Sequence, residues 1–197
     1  MNRTGDVRPR VATRTSLTHP LRIDEVVAGN AGGRIGITFC PGKCGPSNSG
    51  YVWQRDLAAD LDRVTAWKAS AVVTLIEQQE FAMLGVSELG EQVSKRGMVW
   101  HHPPIVDVQP PDARFEAAWL TSGPRLNEVL RQGGRVLVHC RGGLGRAGTV
   151  SARLLVELGV APQEAVTRVR TARPRAIETE AQLQYVLNLV RHSGTAL

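Results

Sequence analysis

Cysteine is scarce in this 197-residue sequence, with only Cys40, Cys44 and Cys140. Three residues so unevenly placed exclude a disulfide framework, and a reducing, cytoplasmic setting is the expectation that follows. Aromatic residues make up 5% of the chain, and none interleave with a basic run as nucleic-acid binding would need. Helix-turn-helix and finger spacings are also missing. Lysine is far rarer than arginine, and the net charge of +6 with a pI near 9.9 favours anionic partners. The basic residues are dispersed, however, so nucleic acid is not the expected partner. No apolar run approaches the roughly 20 residues that span a bilayer. The opening MNRTGDVRPRVATRTSLTHP lacks the apolar stretch of a secretory signal, and residues 1–20 are read as a disordered arm. What remains is 42% hydrophobic and 21% charged, which fits one soluble globular domain over residues 21–193.

Periodicity orders that domain. LRIDEVV and GRIGITF read as short strands joined by the turn-rich AGNAGG. FCPGKCGPSNSGYVW, dense in Gly, Pro and Ser, reads as a loop. A helix is expected to start near Asp56, with Leu57, Leu61, Val64 and Trp67 at helical spacing. AVVTLI (Ala71–Ile76) and RVLVHC have the continuous β-branched and apolar character of strands buried on both faces. Short helical pieces are expected over Glu77–Arg96, then an extended segment in MVWHHPPIVD. Further helices are expected over Phe115–Arg131, Ala147–Leu158, Pro162–Thr171 and Glu178–Val190. The alternation predicts an α/β fold: a central, mostly parallel twisted sheet flanked by helices. A ligand of such a sheet lies beyond the carboxyl ends of its strands.

The loop after RVLVHC sits at that edge. Gly143, Gly145 and Gly148 spell GxGxxG, but the dinucleotide fingerprint needs a following strand that ends in an acid, and only helices follow. Walker A needs a Lys-Ser/Thr pair, which is absent. A plain strand-to-helix turn would account for the glycines. It would not account for Cys140 and Arg146 at the two ends of CRGGLGR. A loop ending at a helix N-terminus turns backbone N–H groups toward one point, where the helix dipole adds positive potential. Arg146 can complete the ring with a two-pronged grip on a tetrahedral oxyanion. The same field favours thiolate at Cys140 over the thiol, whose free pKa is about 8.5.

HCRGGLGRAGT resembles the HC-x5-R signature of the cysteine-dependent protein tyrosine and dual-specificity phosphatases. More narrowly, the chain is similar to the cyclin-dependent-kinase-associated phosphatase group and its bacterial-type relatives. GITFCPG, HHPPIVDVQPPD and RTARPRAIETEAQLQYV extend the likeness over most of Arg34–Val190. The resemblance implies a protein tyrosine phosphatase-like fold and a two-step phosphomonoester hydrolysis through a phosphocysteine. Cys140 would be the nucleophile. Arg146 and the loop of Arg141, Gly142, Gly143, Leu144 and Gly145 would bind the phosphoryl oxygens. No cofactor or metal is implied.

Asp107 matches the family's general acid by position; Asp112, the alternative, also reads as an N-cap for the helix after it. His139 is expected to orient the loop, or else simply to pack. Gln182 matches a position that places the hydrolytic water, or else is an exposed helix residue. His101 and His102, adjacent on a strand, should face opposite ways and not share a metal. Cys40 and Cys44 lack further zinc ligands; Cys40 is either buried or a resolving thiol for Cys140. One departure stands out: the family has Ser or Thr after the signature arginine, and here stands Ala147, with Thr149 two residues on. The expected substrate is a phosphoprotein, carrying phosphotyrosine and also phosphoserine or phosphothreonine in a shallow pocket. Arg141 leaves room for a phosphoinositide or an RNA 5′ phosphate. Ala147 leaves room for an impaired phosphate-binding module. An arsenate-reductase-like thiol enzyme would need a cysteine after Cys140, and none follows. No residue calls for a kinase partner.

Overall fold

A computed structural model describes residues 11–47 and 49–190. Along the chain it forms β1 (Thr13–Arg14), β2 (Asp24–Ala28), β3 (Gly33–Phe39), β4 (Cys44–Pro46), β5 (Val52–Gln54), α1 (Leu57–Ala66) and β6 (Ala71–Thr74). There follow α2 (Gln78–Leu84), α3 (Leu89–Lys95), β7 (Val99–His101), α4 (Ala113–Arg131), β8 (Arg135–Cys140), α5 (Gly145–Glu157), α6 (Pro162–Ala172) and α7 (Glu180–Leu187).

The main sheet runs β2-β3-β8-β6-β7. Only β2 and β3, joined by a short turn, are antiparallel; the other three pairings are parallel. The sheet is therefore mixed, with the expected parallel majority. Its middle strand, β8, is buried on both faces. Val136 and Val138 face a core built with α4, α5 and α6, whereas Leu137 faces a second core with Leu61, Phe81 and Leu89. This two-sided burial is why RVLVHC carries no polar alternation. Cys140 ends β8 opposite Phe39 of β3, with Thr74 of β6 opposite His139. The chain then enters α5 at the sheet's central carboxyl edge.

Two expectations need correction. FCPGKCGPSNSGYVW is not a plain loop, because β4 and β5 pair across it from Cys44–Gln54 to Pro46–Val52. The arm expected over residues 1–20 is ordered from Val11 onward, where Thr13 and Arg14 pair in parallel with Val52 and Trp53. Arg14 stacks 3.8 Å above the Tyr51 ring, and Arg55 donates to the His19 carbonyl at 2.7 Å. Strands of two or three residues leave no readable period, and their contacts come from distant residues. Residues 1–10, the rest of that expected arm, and 191–193 of the expected domain lie outside the described residues. Beneath this small sheet Arg55 and Asp60, both fully buried, form a two-pronged ion pair at 2.8 Å. Asp60 also accepts the Gly42 N–H at 2.8 Å, so the pair fixes the segment leading to Cys44.

Candidate active site

The turn from β8 to α5 is tight enough to dictate its residues. Gly143 has φ +71°, and a Cβ there would fall 2.4 Å from the Thr38 carbonyl; any other residue would push the loop off β3. This conformation turns the Gly143 N–H onto Cys140 Sγ at 3.2 Å, where it stabilises negative charge on sulfur. Cys140 itself is only 3% exposed.

Arg146 is the largest fully buried side chain among the described residues. Its Nη1 and Nη2 donate to the two oxygens of Glu80 at 2.6 and 2.9 Å. Nη1 also reaches the Ile105 carbonyl at 3.0 Å, and Nη2 lies 2.8 Å from Asp107 Oδ1. Burial opposes the arginine's charge, but Glu80, Cys140 and Asp107 outweigh it and hold its pKa above the ordinary value. Burial likewise raises Glu80, yet the Arg146 hydrogen bonds and the Glu77 N–H hold its carboxyl below the usual range. Arg146 Nε has no partner among the described residues.

The two candidate acids part company here. Asp112 caps α4, accepting the Phe115 N–H at 3.0 Å, and that bond lowers its pKa. Asp107 caps nothing; it is half-exposed and faces Arg146. Val108, next to it, holds a left-handed φ of +58°, a strained state for a β-branched residue.

His139 is fully buried and bonded through Nε2 to Thr74 Oγ1 at 2.8 Å. Thr74 in turn accepts from Trp100 Nε1 at 2.9 Å. Burial pushes the imidazole down to about 3, so it is neutral and braces the strand end. His101 meets Ser122 at 3.1 Å, whereas His102 meets the Ile76 carbonyl at 2.8 Å; they diverge as a strand requires. Gln182 is fully buried, which removes the alternative of an exposed helix residue. Its Oε1 accepts the N–H groups of Glu178 and Thr179 at 3.0 and 3.3 Å. Its Nε2 donates to the Gln109 carbonyl at 3.2 Å, so it brackets the Asp107 segment to the start of α7. Thr149 does not reach the sulfur, because its hydroxyl donates one turn back to the Gly145 carbonyl at 2.8 Å. Cys40 and Cys44 place their thiols against backbone carbonyls, and burial pushes Cys40 well above the ordinary thiol range.

Several groups around the loop carried no assignment in the sequence. Glu80 is one; an acid sharing the buried face of α2 with Phe81 and Leu84 was its signal. Arg173 donates through Nε to the Gly143 carbonyl and through Nη2 to that of Gly142, and is held by Asp24 at 2.6 Å. Lys43 places its ammonium over the packed Phe39 and Trp53 rings, 4.5 Å from each centroid, and donates to the Arg141 carbonyl at 3.2 Å. Burial brings its ammonium down to about 8, against the pull of Cys40 and Cys140. Glu178 accepts the Gly145 N–H at 2.7 Å.

Among the described residues no helix is long and apolar enough to cross a membrane. Cyclin-dependent kinase inhibitor 3 of Rattus norvegicus is 30% identical over 136 residues, or 68% of this chain and 63% of the relative. The Homo sapiens protein of that name is 28% identical over the same shares. The chain thus spans less than two thirds of the curated relatives it matches. Kinase-associated phosphatase, solved with its catalytic-site cysteine replaced by serine, shares the fold with a TM-score of 0.72, covering 85% of this chain and 92% of its own at 24% identity. Tk-PTP in its active form is 32% identical with a TM-score of 0.59, covering 82% of this chain and 95% of its own. Residues 54–186, which contain the whole Cys140–Arg146 loop, match the family described as "Swiss Army Knife protein, DSP-PTPase phosphatase domain". The chain belongs to this family of dual-specificity and protein tyrosine phosphatase domains.

Proposed function

We propose that this chain hydrolyses phosphomonoesters through a phosphocysteine on Cys140, as a protein tyrosine or dual-specificity phosphatase. The observation that carries the reading is the orphaned Nε–H of Arg146. A buried donor without a partner costs roughly 1–3 kcal/mol, yet this one belongs to a guanidinium already aligned by Glu80 beside Cys140. A phosphoryl oxygen would satisfy it.

In this mechanism Sγ attacks phosphorus while Arg146 and backbone N–H groups of the Cys140–Arg146 loop hold the non-bridging oxygens. Asp107, facing Arg146, delivers a proton to the leaving oxygen. His139, neutral and tied to Thr74, keeps the strand end from shifting under the nucleophile. Water then releases inorganic phosphate. A phosphoprotein substrate and a cytoplasmic site of action are part of this proposal. A kinase partner is not.

The test is phosphate release from an aryl phosphate by the wild type and by Cys140→Ser. The wild type is expected to turn over, and Cys140→Ser to bind phosphate without releasing product. A wild type that binds vanadate but never turns over would leave only a phosphate-binding module. A second reading of the substrate, a phosphoinositide or RNA 5′ phosphate, is favoured by Arg141: half-buried at the loop, it forms no ion pair among the described residues. A panel of phosphopeptides, phosphoinositides and 5′-phosphorylated RNA separates the two.

A further inference from the structure

Asp107 sits in a turn that its own residues do not favour. The Val106 carbonyl accepts the Gln109 N–H at 3.1 Å, which closes a turn with Asp107 and Val108 at its middle. Val108 holds φ +58°, and that place in a turn favours glycine or asparagine. Burial does not hold it there, because Val108 is 55% exposed. Left-handed backbone at a β-branched residue persists only where its surroundings over-determine it.

Hydrogen bonds from α7 supply that determination. The Val108 N–H turns back onto Asp107 Oδ1 at 3.1 Å. The Val108 carbonyl accepts from Thr179 Oγ1 at 3.4 Å, and the Gln109 carbonyl from Gln182 Nε2 at 3.2 Å. Thr179 is the N-cap of α7 and Gln182 its third residue, and the two also bond one another's backbone as a capping box. The start of α7 is tied in turn to the anion loop. Ile177 N–H donates to the Leu144 carbonyl at 3.3 Å, and Glu178 accepts the Gly145 N–H at 2.7 Å. Loop, α7 and turn thus share one frame, in which Asp107 Oδ1 lies 2.8 Å from Arg146.

We propose that Thr179 and Gln182 are positioning residues for the general acid, an assignment that rests on the phosphatase reading above. In the first step the Sγ–P bond forms as the bond from phosphorus to the leaving oxygen breaks. Its electron pair stays on that oxygen, which takes the proton of the Asp107 carboxyl. Such a transfer needs hydrogen-bond reach, and a turn free to relax at Val108 would carry the carboxyl away. Two donors on α7 keep it from relaxing. A capping box asks only for acceptors from these two side chains, so donation to the turn is a separate duty.

Leaving-group dependence separates that duty from general stability. Phenyl phosphate needs its leaving oxygen protonated, whereas dinitrophenyl phosphate does not, and the quantity read is the ratio of their kcat/KM values. Thr179→Asp and Gln182→Glu keep the acceptors of the box and lose the donors. The charge each adds acts on both esters alike and cancels in the ratio. Asp107→Asn is expected to lower the ratio about 10²-fold, and each of the other two about 10-fold. Thr179→Ser, which keeps the hydroxyl, should match wild type. In the Asp107→Asn background Thr179→Asp should leave the ratio where it is, because the acid it positions is gone. An unchanged ratio in Thr179→Asp and Gln182→Glu overturns the assignment, as does a further 10-fold or so fall in the double variant. If Asp107→Asn itself leaves the ratio unchanged, the acid reading falls and the positioning role with it. Turnover by Cys140→Ser would instead bring down the phosphatase reading beneath both.

Discussion

Replacing Glu80 by glutamine is the most informative single perturbation outside the loop. In the native pair Oε2 accepts from Arg146 Nη1 at 2.6 Å and from the Glu77 N–H at 2.8 Å, while Oε1 accepts from Nη2 at 2.9 Å. Glutamine keeps one acceptor, so whichever way its amide turns, an N–H of Arg146 faces an NH2 group. Removing one partner of a buried ion pair costs about 3–5 kcal/mol, because the other charge stays behind. The retained oxygen and Asp107 place this case near the lower end, about 3 kcal/mol. Against a total stability of roughly 5–15 kcal/mol that is a large fraction. Activity should fall about 10²-fold, as when one aligned oxyanion donor is lost. Urea titration followed by tryptophan fluorescence, run beside initial rates on an aryl phosphate, measures both. The folded-state pKa of Glu80 is depressed, so its stabilisation is complete above the ordinary value of 4.5 and disappears as pH falls through the lower native one. The gap between wild type and variant must therefore narrow in acid. A Glu80→Gln enzyme within about 0.5 kcal/mol of wild type at pH 7, with unchanged rates, would refute the claim that Glu80 aligns Arg146.

Arg173→Ala should weaken vanadate binding several-fold, a change of about 1–2 kcal/mol for a lost charged hydrogen bond, with Arg173→Lys recovering part of it; calorimetric titration with vanadate checks this, and equal affinities would remove Arg173 as a support of the loop. His139 titrates near 3 in the folded chain against 6.5 ordinarily, so between those values the unfolded state binds the extra proton and stability must fall as pH drops from 6.5. The slope approaches about 1.4 kcal/mol per pH unit, and urea midpoints at pH 7, 5.5 and 4.5 for wild type and His139→Asn should converge.

The parts legible in the sequence were those in which one segment carries its own signal. RVLVHC is a strand buried on both faces and looks like one, and the Cys140–Arg146 loop follows it with glycines that the φ of Gly143 and the crowding at Gly145 require. Asp56 and Asp112 cap α1 and α4 as their positions suggest. What stayed hidden depends on partners far along the chain. Asp24 meets Arg173 across 149 positions, and nothing local in either marks a support for the loop. Glu80 meets Arg146 across 66, and its only trace is an acid on an apolar helical face. Gln182 and Glu178 lie four residues apart in a stretch whose likeness was noted. Only the folded chain shows that the amide is consumed by backbone while the carboxylate lies on the loop.

These distant partners share one physical cause. A loop that turns its N–H groups inward toward an anion must turn its carbonyls outward, and buried carbonyls without donors are costly. Each successive carbonyl here finds one. Arg141 takes Lys43 and the Cys40 N–H, and Gly142 and Gly143 take Arg173. Leu144 takes the N–H groups of Gly148 and Ile177, and Gly145 takes the Thr149 hydroxyl. Two of these donors are cations, which reinforce the positive potential of the hollow as well as holding its shape. With its outer face saturated, the loop has little reason to rearrange when an oxyanion arrives, and preorganisation of this kind makes such dipoles effective in catalysis. Thr149 belongs to this outer face as well: its hydroxyl bonds back onto the carbonyl of Gly145, the first residue of α5, and does not stand in for the hydroxyl missing at Ala147.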